Sequence, residues 1–283
     1  LNSTNPANPS SLSQFQSVLS SLKFDSSSQS PQIYDRVVEI FCLDDKNATS
    51  NTAISTIPVR SVNDAPVVDL NGPATGGFDF STVFTEGLGP VSITSPNAIT
   101  SDVDSPLFSV CTAQLTNNVD GASESLQVVP SIVTQLAALP NPIIVTWDAS
   151  TSQLTFSGPS ERENFDTGIK NMQYDNLALN PTISVLRVIN VMCSDFGNDA
   201  TVNGKLPSNV AQSFVSLIPD DNSPVIDLNG PQNPGLSFTT TFNELEAILD
   251  ENDSTYTSNN VPVPVTDPTI RITDVDSTRL SSC

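Results

Sequence analysis

The chain has 283 residues, enough for about two domains of ordinary size, and its 31 acidic residues against 10 basic ones give a formal charge of −21. Such an acidic surface repels nucleic-acid phosphates, so we expect no nucleic-acid partner, whereas divalent cations are natural counterions. The chain has no histidine, which excludes Ser-His-Asp and Cys-His catalysis, and we do not expect an enzyme.

Two groups of sequence segments occur twice. The first group is APVVDLNGP at 65–73 with SPVIDLNGP at 223–231, and DVDS followed by a cysteine at 102–111 and 274–283. The second group is FQSVLSSLKFD at 15–25 with FDTGIKNMQYD at 165–175, and RVVEIFC at 36–42 with RVINVMC at 187–193. The repeat predicts one complete unit at 65–222, flanked by a C-terminal half-unit at 1–64 and an N-terminal half-unit at 223–283.

Within the complete unit, short runs rich in Val, Ile, Phe and Thr alternate with clusters of Pro, Gly, Asn and Asp, which is typical of β-strands. The predicted strands, in chain order, are VVDL, FSVCTAQL, LQVV, IIVTW, LTFSG, SVLRVINVMC and QSFVSLI. A hairpin is predicted to turn around Asp148 to Thr151, and the spacing of Phe165, Ile169 and Met172 predicts a short helix. These elements indicate an all-β chain of tandem antiparallel Greek-key β-sandwiches.

Several of these segments resemble the cadherin-like, immunoglobulin-like β-sandwich modules of large secreted surface proteins. The residues that carry the resemblance are LTFSGPSERENFDTGIKNMQYDN, PTISVLRVINVMCSD, LIPDDNSPVIDLNG, FTEG and DVDS. The resemblance covers nearly the whole chain and implies termini at opposite poles of each module. It implies little about function, because such modules serve as spacers, adhesins and filament subunits.

The four cysteines occupy equivalent places in the repeat. Cys111 lies on an early strand of the complete unit and Cys193 on a late one. If those strands face each other across the core, a disulfide can join the two sheets as in antibody domains, so we predict the pair Cys111–Cys193. The alternative is two buried free thiols.

Cys42 and Cys283 are the corresponding cysteines of the two half-units. We predict that 223–283 is completed by 1–64 of a neighbouring subunit, with an intersubunit Cys42–Cys283 bond. Repeated head to tail, this contact makes the chain the subunit of an extracellular filament whose partner is itself. Two alternatives remain: the two half-units close on each other within one chain, or the sequence is one period of a longer polypeptide. The alternative function is a stalk or adhesion segment of a giant tandem-repeat surface adhesin that binds carbohydrate or another cell. Trp147 is expected to be a core residue, with a stacking platform for carbohydrate as the alternative.

Acidic side chains cluster at the ends of the units. By resemblance, modules of this kind place acidic motifs at their boundaries to bind calcium, which prefers six to eight oxygen ligands. The candidate ligands are Asp64, Glu86, Asp102, Asp104 and Asp195. The alternative is that these residues are ordinary solvated turn residues.

Three sequons predict N-linked glycans at Asn2, Asn47 and Asn252. Together with the even number of cysteines, they favour a secreted protein at the cell surface or outside the cell. The longest apolar stretch, residues 128–147, is broken by three prolines, so no membrane insertion is expected.

Overall fold

The computed structural model describes residues 10–197, 204–244 and 261–283, together with the backbone of 248–250 and 255–257. The helices in this part of the chain are α1 (Leu12–Leu19), α2 (Pro130–Ala137) and α3 (Arg162–Ile169). The strands are β1 (Arg36–Ile40), β2 (Ala53–Ile57), β3 (Val67–Asp69), β4 (Phe80–Thr85), β5 (Val91–Ser92), β6 (Ile99–Ser101), β7 (Leu107–Leu115), β8 (Glu124–Val128), β9 (Ile144–Asp148), β10 (Gln153–Glu161), β11 (Met172–Asn176), β12 (Arg187–Asp195), β13 (Ala211–Ile218), β14 (Val225–Asp227), β15 (Ile248–Asp250), β16 (Thr255–Thr257) and β17 (Arg271–Thr273).

Two sheets share one core in the middle of the chain. The larger sheet has the strand order β4-β13-β12-β7-β10-β9, and the smaller has the order β5-β11-β8. Neighbouring strands are antiparallel except for β4 and β13, which are parallel. The rings of Phe84 on β4 and Tyr174 on β11 meet edge to face, 5.4 Å apart, which joins the two sheets through the core.

The buried apolar side chains of the described residues all lie between Val68 and Leu217. They alternate with more exposed residues along β7, β12 and β13, as expected when one face of a sheet is packed and the other faces solvent. The all-β fold class is therefore confirmed. We call the packed body of residues 65–222 the central sandwich; its boundaries remain those predicted from the sequence repeat.

The Cys111–Cys193 disulfide is present in the structure, but its predicted position across the core is wrong. The two residues lie directly opposite each other on β7 and β12, which are neighbouring antiparallel strands of the same sheet, and their Cα atoms are 4.0 Å apart. The bond therefore fixes the register of two strands within one sheet rather than linking the two sheets. Both cysteines are buried.

The predicted local elements agree with the structure at most positions. The hairpin joins β9 to β10, and Asp148 Oδ1 accepts hydrogen bonds from the main-chain N–H and the hydroxyl of Ser150 at its turn. The predicted helix is α3, although Met172 begins β11 instead. Helix α2 is not among the predicted elements; Pro130 begins it, at a position where a missing N–H is tolerated.

A buried ion-pair network closes one end of the central sandwich. Arg187, the first residue of β12, is fully buried; its Nε pairs with Glu124 and its Nη2 lies 2.6 Å from Asp120 Oδ2. Burial opposes ionisation of Asp120, but hydrogen bonds from Thr182 and Asn176 and the charge of Arg187 hold its pKa below the ordinary value. The network balances the charge of a guanidinium that would otherwise be costly to bury.

Replacing both Cys111 and Cys193 with alanine should lower the free energy of unfolding of the central sandwich by about 4 kcal/mol, because the bond closes a long loop and restricts the unfolded chain. The two residues are 82 positions apart in the sequence. Denaturant unfolding followed by tryptophan fluorescence measures the change. The Cys42→Ser variant serves as the control, and an unchanged stability in the double variant would contradict the prediction.

Candidate functional site

The N-terminal segment, residues 10–64, folds locally as the corresponding part of the central sandwich. Its helix α1 occupies the position of α3 in the sequence repeat and begins with a capping box formed by Ser11 and Gln14. Its strands β1 and β2 pair with Arg36 opposite Ile57, in the register that places Arg187 opposite Val215 on β12 and β13. The segment therefore already has the last hairpin of a sandwich.

The C-terminal segment, here the described residues of 223–283, repeats the first part of the central sandwich in the same way. Strand β14 pairs with β17, and Val225 faces Thr273 as Val67 faces Ser101 on β3 and β6. Asp227 Oδ1 accepts hydrogen bonds from the main-chain N–H groups of the tight turn that follows β14, as Asp69 does after β3. The segment thus has the local structure of the opening strands of a sandwich.

Both segments expose the apolar positions that the central sandwich buries. Phe24 is 46% exposed, whereas its counterpart Tyr174 is fully buried. Phe242 is 51% exposed, whereas its counterpart Phe84 is 1% exposed. The same holds for Leu280, which is 41% exposed and corresponds to the fully buried Phe108. At these positions each segment exposes side chains whose counterparts are buried, and no layer covers them among the described residues. That the two segments are halves of a sandwich stays a prediction.

The remaining two cysteines lie in these flanking segments, outside their strands. Cys42 comes two residues after the end of β1, Cys283 comes ten residues after the end of β17, and both are exposed and unbonded in the structure. Their counterparts in the repeat, Cys193 and Cys111, are the bonded pair of the central sandwich. The Cys111–Cys193 disulfide thus shows how cysteines at these two repeat positions are bonded in the central sandwich, whereas Cys42 and Cys283 are free thiols.

The central sandwich meets its two flanking segments through equivalent contacts. On the N-terminal side, the main-chain N–H of Asp64 lies 3.3 Å from Asp104 Oδ2. On the C-terminal side, the main-chain N–H of Asn222, the counterpart of Asp64, donates to Asp276 Oδ2 at 2.7 Å. Because Asp276 is the counterpart of Asp104, successive units meet through the same linker contact at both junctions.

The five predicted calcium ligands are divided between these two junctions. Asp64, Asp102, Asp104 and Asp195 lie at the N-terminal one, where Asn63 Nδ2 donates to Asp195 Oδ2 at 2.6 Å. Glu86 lies at the C-terminal one and accepts from Asn222 Nδ2 at 3.1 Å. Asp195 is the last residue of β12, whereas the main-chain N–H of Glu86 donates to the carbonyl of Ile218, the last residue of β13. Because β12 and β13 are antiparallel, their last residues, and with them the two sites, lie at opposite poles of the central sandwich.

Asp102 is the candidate ligand with the least satisfied carboxylate. Its Oδ1 accepts hydrogen bonds from the main-chain N–H groups of Asp104 and Ser105, but its Oδ2 is buried without a hydrogen-bond partner. Burial, and then the neighbouring Asp104, raise the pKa of Asp102 to about 6. An unpaired carboxylate oxygen of this kind fits a cation, yet no group of three or more acidic or cysteine side chains placed to hold a metal occurs in the described part of the chain. Calcium binding therefore stays a prediction.

Of the three predicted glycan acceptors, Asn47 lies within the described residues, and Asn2 and Asn252 lie outside them. Asn47 is exposed in the loop between β1 and β2, in a left-handed conformation with φ 67°. Asp44 Oδ1 holds this loop by accepting from the main-chain N–H groups of Lys46 and Ala48. Trp147 on β9 packs partly buried against the core.

Sequence reasoning missed the arginine that both copies of the hairpin share, Arg187 at the start of β12 and Arg36 at the start of β1. The two differ in their surroundings, since Arg187 is buried, and the repeated Arg-Val dipeptide at 36 and 187 is the signal that could identify them. The exposed aromatic residues Phe24 and Phe242 were also passed over, because an exposed residue and a buried one look alike in a sequence.

No protein-family model and no curated protein sequence matches the chain. Among solved structures, the chain is similar to the ectodomain of human desmocollin-1, with 12% sequence identity and a TM-score of 0.23. The match covers 81% of this chain and 41% of that one, so the chain spans less than half the length of that ectodomain. Among the described residues, none of the helices is long and apolar enough to cross a bilayer.

Replacing Asp102 with asparagine should raise the melting temperature at pH 7, measured in a calcium-free buffer. Because its pKa is raised in the folded state, the aspartate becomes ionised at a cost to stability as the pH rises from about 4 through about 6. The difference in melting temperature between variant and wild type should therefore grow over this range and level off above it. Asparagine keeps the Oδ1 acceptor, so the turn is preserved.

The contrasting variant is Asp148→Asn. Hydrogen bonds from Ser150 and Thr151 hold the pKa of Asp148 below its ordinary value, so its ionised form stabilises the fold at neutral pH, and this contribution is lost as the pH falls through that lowered pKa. This variant should lower the melting temperature at pH 7. The same sign for both variants would contradict the assignment of these shifts.

Proposed function

We propose that the protein is a structural subunit of an extracellular glycosylated filament. In this proposal, residues 223–283 of one copy and 1–64 of the next fold together into a single β-sandwich, and the subunits are linked head to tail. The observation that carries the proposal is that the two flanking segments have the local structure of complementary halves of the central sandwich while exposing the apolar positions that it buries.

The central sandwich serves as the template for the contacts between copies. Its Phe84–Tyr174 pair corresponds to Phe242 of one copy against Phe24 of the next. Its parallel β4–β13 pairing corresponds to residues 238–243 added alongside β2. Its β7–β12 pairing corresponds to the segment 279–283, which would add as a strand alongside β1, with Cys42 opposite Cys283.

The physical driving force is the burial of these exposed faces. Covering a large apolar side chain stabilises a complex by about 1.5 to 3 kcal/mol, and both halves expose several of them. Strand addition also satisfies the free edge of β1, which otherwise offers unpaired N–H and C=O groups. A disulfide then makes each link covalent.

A contact of this kind joins two different surfaces, so each copy keeps one surface free for the next. Such heterologous contacts produce an open filament unless the rotation per subunit closes a ring. The equivalent linker contacts at Asp64 and Asn222 support a regular repeat, because each unit would meet the next in the same way. The same proposal includes calcium at these acidic junctions, where it would stiffen the linkers between units. It also includes glycans at the three sequons, where they would shield the contact between subunits.

Two variants, each with one of the two free cysteines replaced, test the proposal. A Cys42→Ser copy and a Cys283→Ser copy, mixed in a glutathione redox buffer, should form a disulfide-linked dimer that contains one of each, because only one complementary pair of thiols remains. Wild-type protein should give a reducible ladder of multiples on a non-reducing gel. Mass spectrometry should identify a peptide in which Cys42 is bonded to Cys283.

Each variant alone is the control and should run as a monomer on the non-reducing gel at the same concentration, because its head-to-tail contact would place a serine opposite the remaining free thiol. The adhesin alternative predicts no ladder, and a single very large species that is insensitive to reductant in native material would favour it. Cross-links between like cysteines at the same yield as Cys42–Cys283 would overturn the complementation proposal, since they would show that the thiols react without alignment.

The glycan on the β1–β2 loop is tested separately. Protein secreted from a eukaryotic cell should carry an N-linked glycan on Asn47, because the residue is exposed at a loop within an acceptor triplet. The Asn47→Gln variant should run faster on a gel by one glycan, whereas Asn51→Gln, an exposed asparagine outside any triplet in the same loop, should run as wild type. Identical mobility of the two variants would contradict this prediction.

A further inference from the structure

Four carboxamide side chains form one row across the outer face of the larger sheet. The row consists of Gln153 on β10, Gln114 on β7, Asn190 on β12 and Gln212 on β13, and the strand register places each residue directly opposite the next. All four are half-buried, whereas the residues before and after each of them in the sequence are buried. The amides therefore lie on the face of the sheet that points away from the core.

The row is held together by its own hydrogen bonds and still offers free groups to a ligand. Gln153 Nε2 donates to Gln114 Oε1 at 3.1 Å, and Gln212 Nε2 donates to Asn190 Oδ1 at 2.9 Å. In the described part of the chain, Gln153 Oε1, Asn190 Nδ2 and Gln212 Oε1 make no hydrogen bond, which leaves two acceptors and one donor. Because the amides already orient one another, a ligand would lose less side-chain entropy on binding here than at flexible side chains.

An aromatic ring lies beside the row. Phe214 comes two residues after Gln212 on β13 and is half-buried, and it alternates with the buried Ser213 and Val215, so its ring is on the outer face. The ring does not pack against the buried core cluster of the described residues. The face thus combines an apolar ring with amide groups, which are the two features that bind a sugar: the C–H groups of the sugar stack on the ring, and its hydroxyls bond to the amides.

The side chains that surround the row on this face carry no charge, although the chain as a whole has a charge of −21. They are Val110, Thr112, Thr155, Ser157, Val188, Met192, Phe214 and Ser216. A neutral ligand meets no opposing charge here, whereas an anionic ligand is repelled by the rest of the chain.

The fold does not require these side chains, because the N-terminal copy of the hairpin differs at the same positions. Glu39 on β1 stands at the place of Asn190, and Thr56 on β2 stands at the place of Phe214. Both β1 and β2 form and pair in the same register without an amide row or a ring. This difference favours a role in binding over a role in folding.

We propose that the outer face of the larger sheet binds an extended, neutral, β-linked polysaccharide, which lies across the strands along the amide row. Neighbouring strands are about 4.8 Å apart, so the four amides span about 14 Å. In a flat β-linked chain, one sugar advances by nearly the same distance as one strand, so that successive sugars meet successive amides. This inference goes beyond the filament proposal and does not depend on it.

A second copy of the chain is a less suitable occupant of this face. A carboxylate stands at each end of the row: Asp148 lies opposite Gln153, and Asp79 Oδ1 accepts from the main-chain N–H of Gln212 at 2.7 Å. A two-fold contact along the row would bring Asp148 of one copy to Asp79 of the other, and both copies are strongly acidic. These charges oppose the contact, whereas sugar hydroxyls can donate to both carboxylates.

Isothermal titration calorimetry of the full chain with cellohexaose and with mannohexaose tests the proposal. The wild type should bind at least one of these neutral hexasaccharides. Gln212→Ala and Phe214→Ala should each weaken this binding at least about fivefold, because the first removes a hydrogen bond and the second a stacking contact. Both positions are on the outer face, so the two variants should keep the melting temperature of a folded protein.

Gln127→Ala is the matched control, because Gln127 also lies opposite a glutamine, Gln173, at a half-buried position of the smaller sheet. Its affinity should stay within about twofold of the wild type, as expected for a residue away from the ligand. In affinity electrophoresis, neutral hydroxyethylcellulose should retard the protein more than carboxymethylcellulose does, because the latter has the same backbone with negative charges.

Three results would overturn the proposal. The first is that neither hexasaccharide binds, and the second is that the Gln127 control loses as much affinity as the variants of the row. The third is concentration-dependent dimerisation of the wild type that Gln212→Ala abolishes, since it would assign the face to a second copy. None of these results bears on the formation of Cys42–Cys283 links, so the filament proposal is tested separately.

Discussion

The pairing of β7 with β12 is the constraint on which the rest of the molecule depends. It joins an early strand to a late strand of the central sandwich, and it is fixed by the disulfide between Cys111 and Cys193 at its middle. In the flanking segments the same pairing is interrupted: β1 has β2 on one side and no strand on the other among the described residues. Phe24, Phe242 and Leu280 are exposed in these segments because no second layer covers them among the described residues.

Apolar burial alone would let many β-rich segments cover such a surface, and polar groups restrict the choice. In the central sandwich, Arg187 is accepted in the core only because Glu124 and Asp120 meet it there. Arg36 occupies the same repeat position in the N-terminal segment, where it is half-buried and donates to the main-chain carbonyls of Tyr34 and Gln32. In the described part of the chain, the same residue type is thus neutralised by carboxylates where it is buried and bound by main-chain carbonyls where it is not.

The sequence was sufficient to predict the features that depend on neighbouring residues, and insufficient for those that depend on distant ones. Runs rich in Val, Ile, Phe and Thr predicted seven of the strands of the central sandwich but not β4, β5, β6 or β11, and the spacing of Phe165 and Ile169 predicted α3. The position of the disulfide within one sheet was out of reach, because order along the chain does not say which strands are neighbours. For the same reason, five similar carboxylates looked like one kind of site, whereas the fold separates Glu86 from Asp195 at opposite poles.

The geometry of the bonded template bears on the order of steps in the proposed assembly. In the central sandwich, the Cα atoms of the two cysteines come to 4.0 Å only because β7 and β12 are hydrogen-bonded in register on both sides of them. Exposed cysteines on two separate copies have no comparable alignment, and the copies, each with a charge of −21, repel each other at low salt. In the proposed filament, strand addition would therefore have to precede the bond, so that the disulfide fixes a register that non-covalent contacts have already selected.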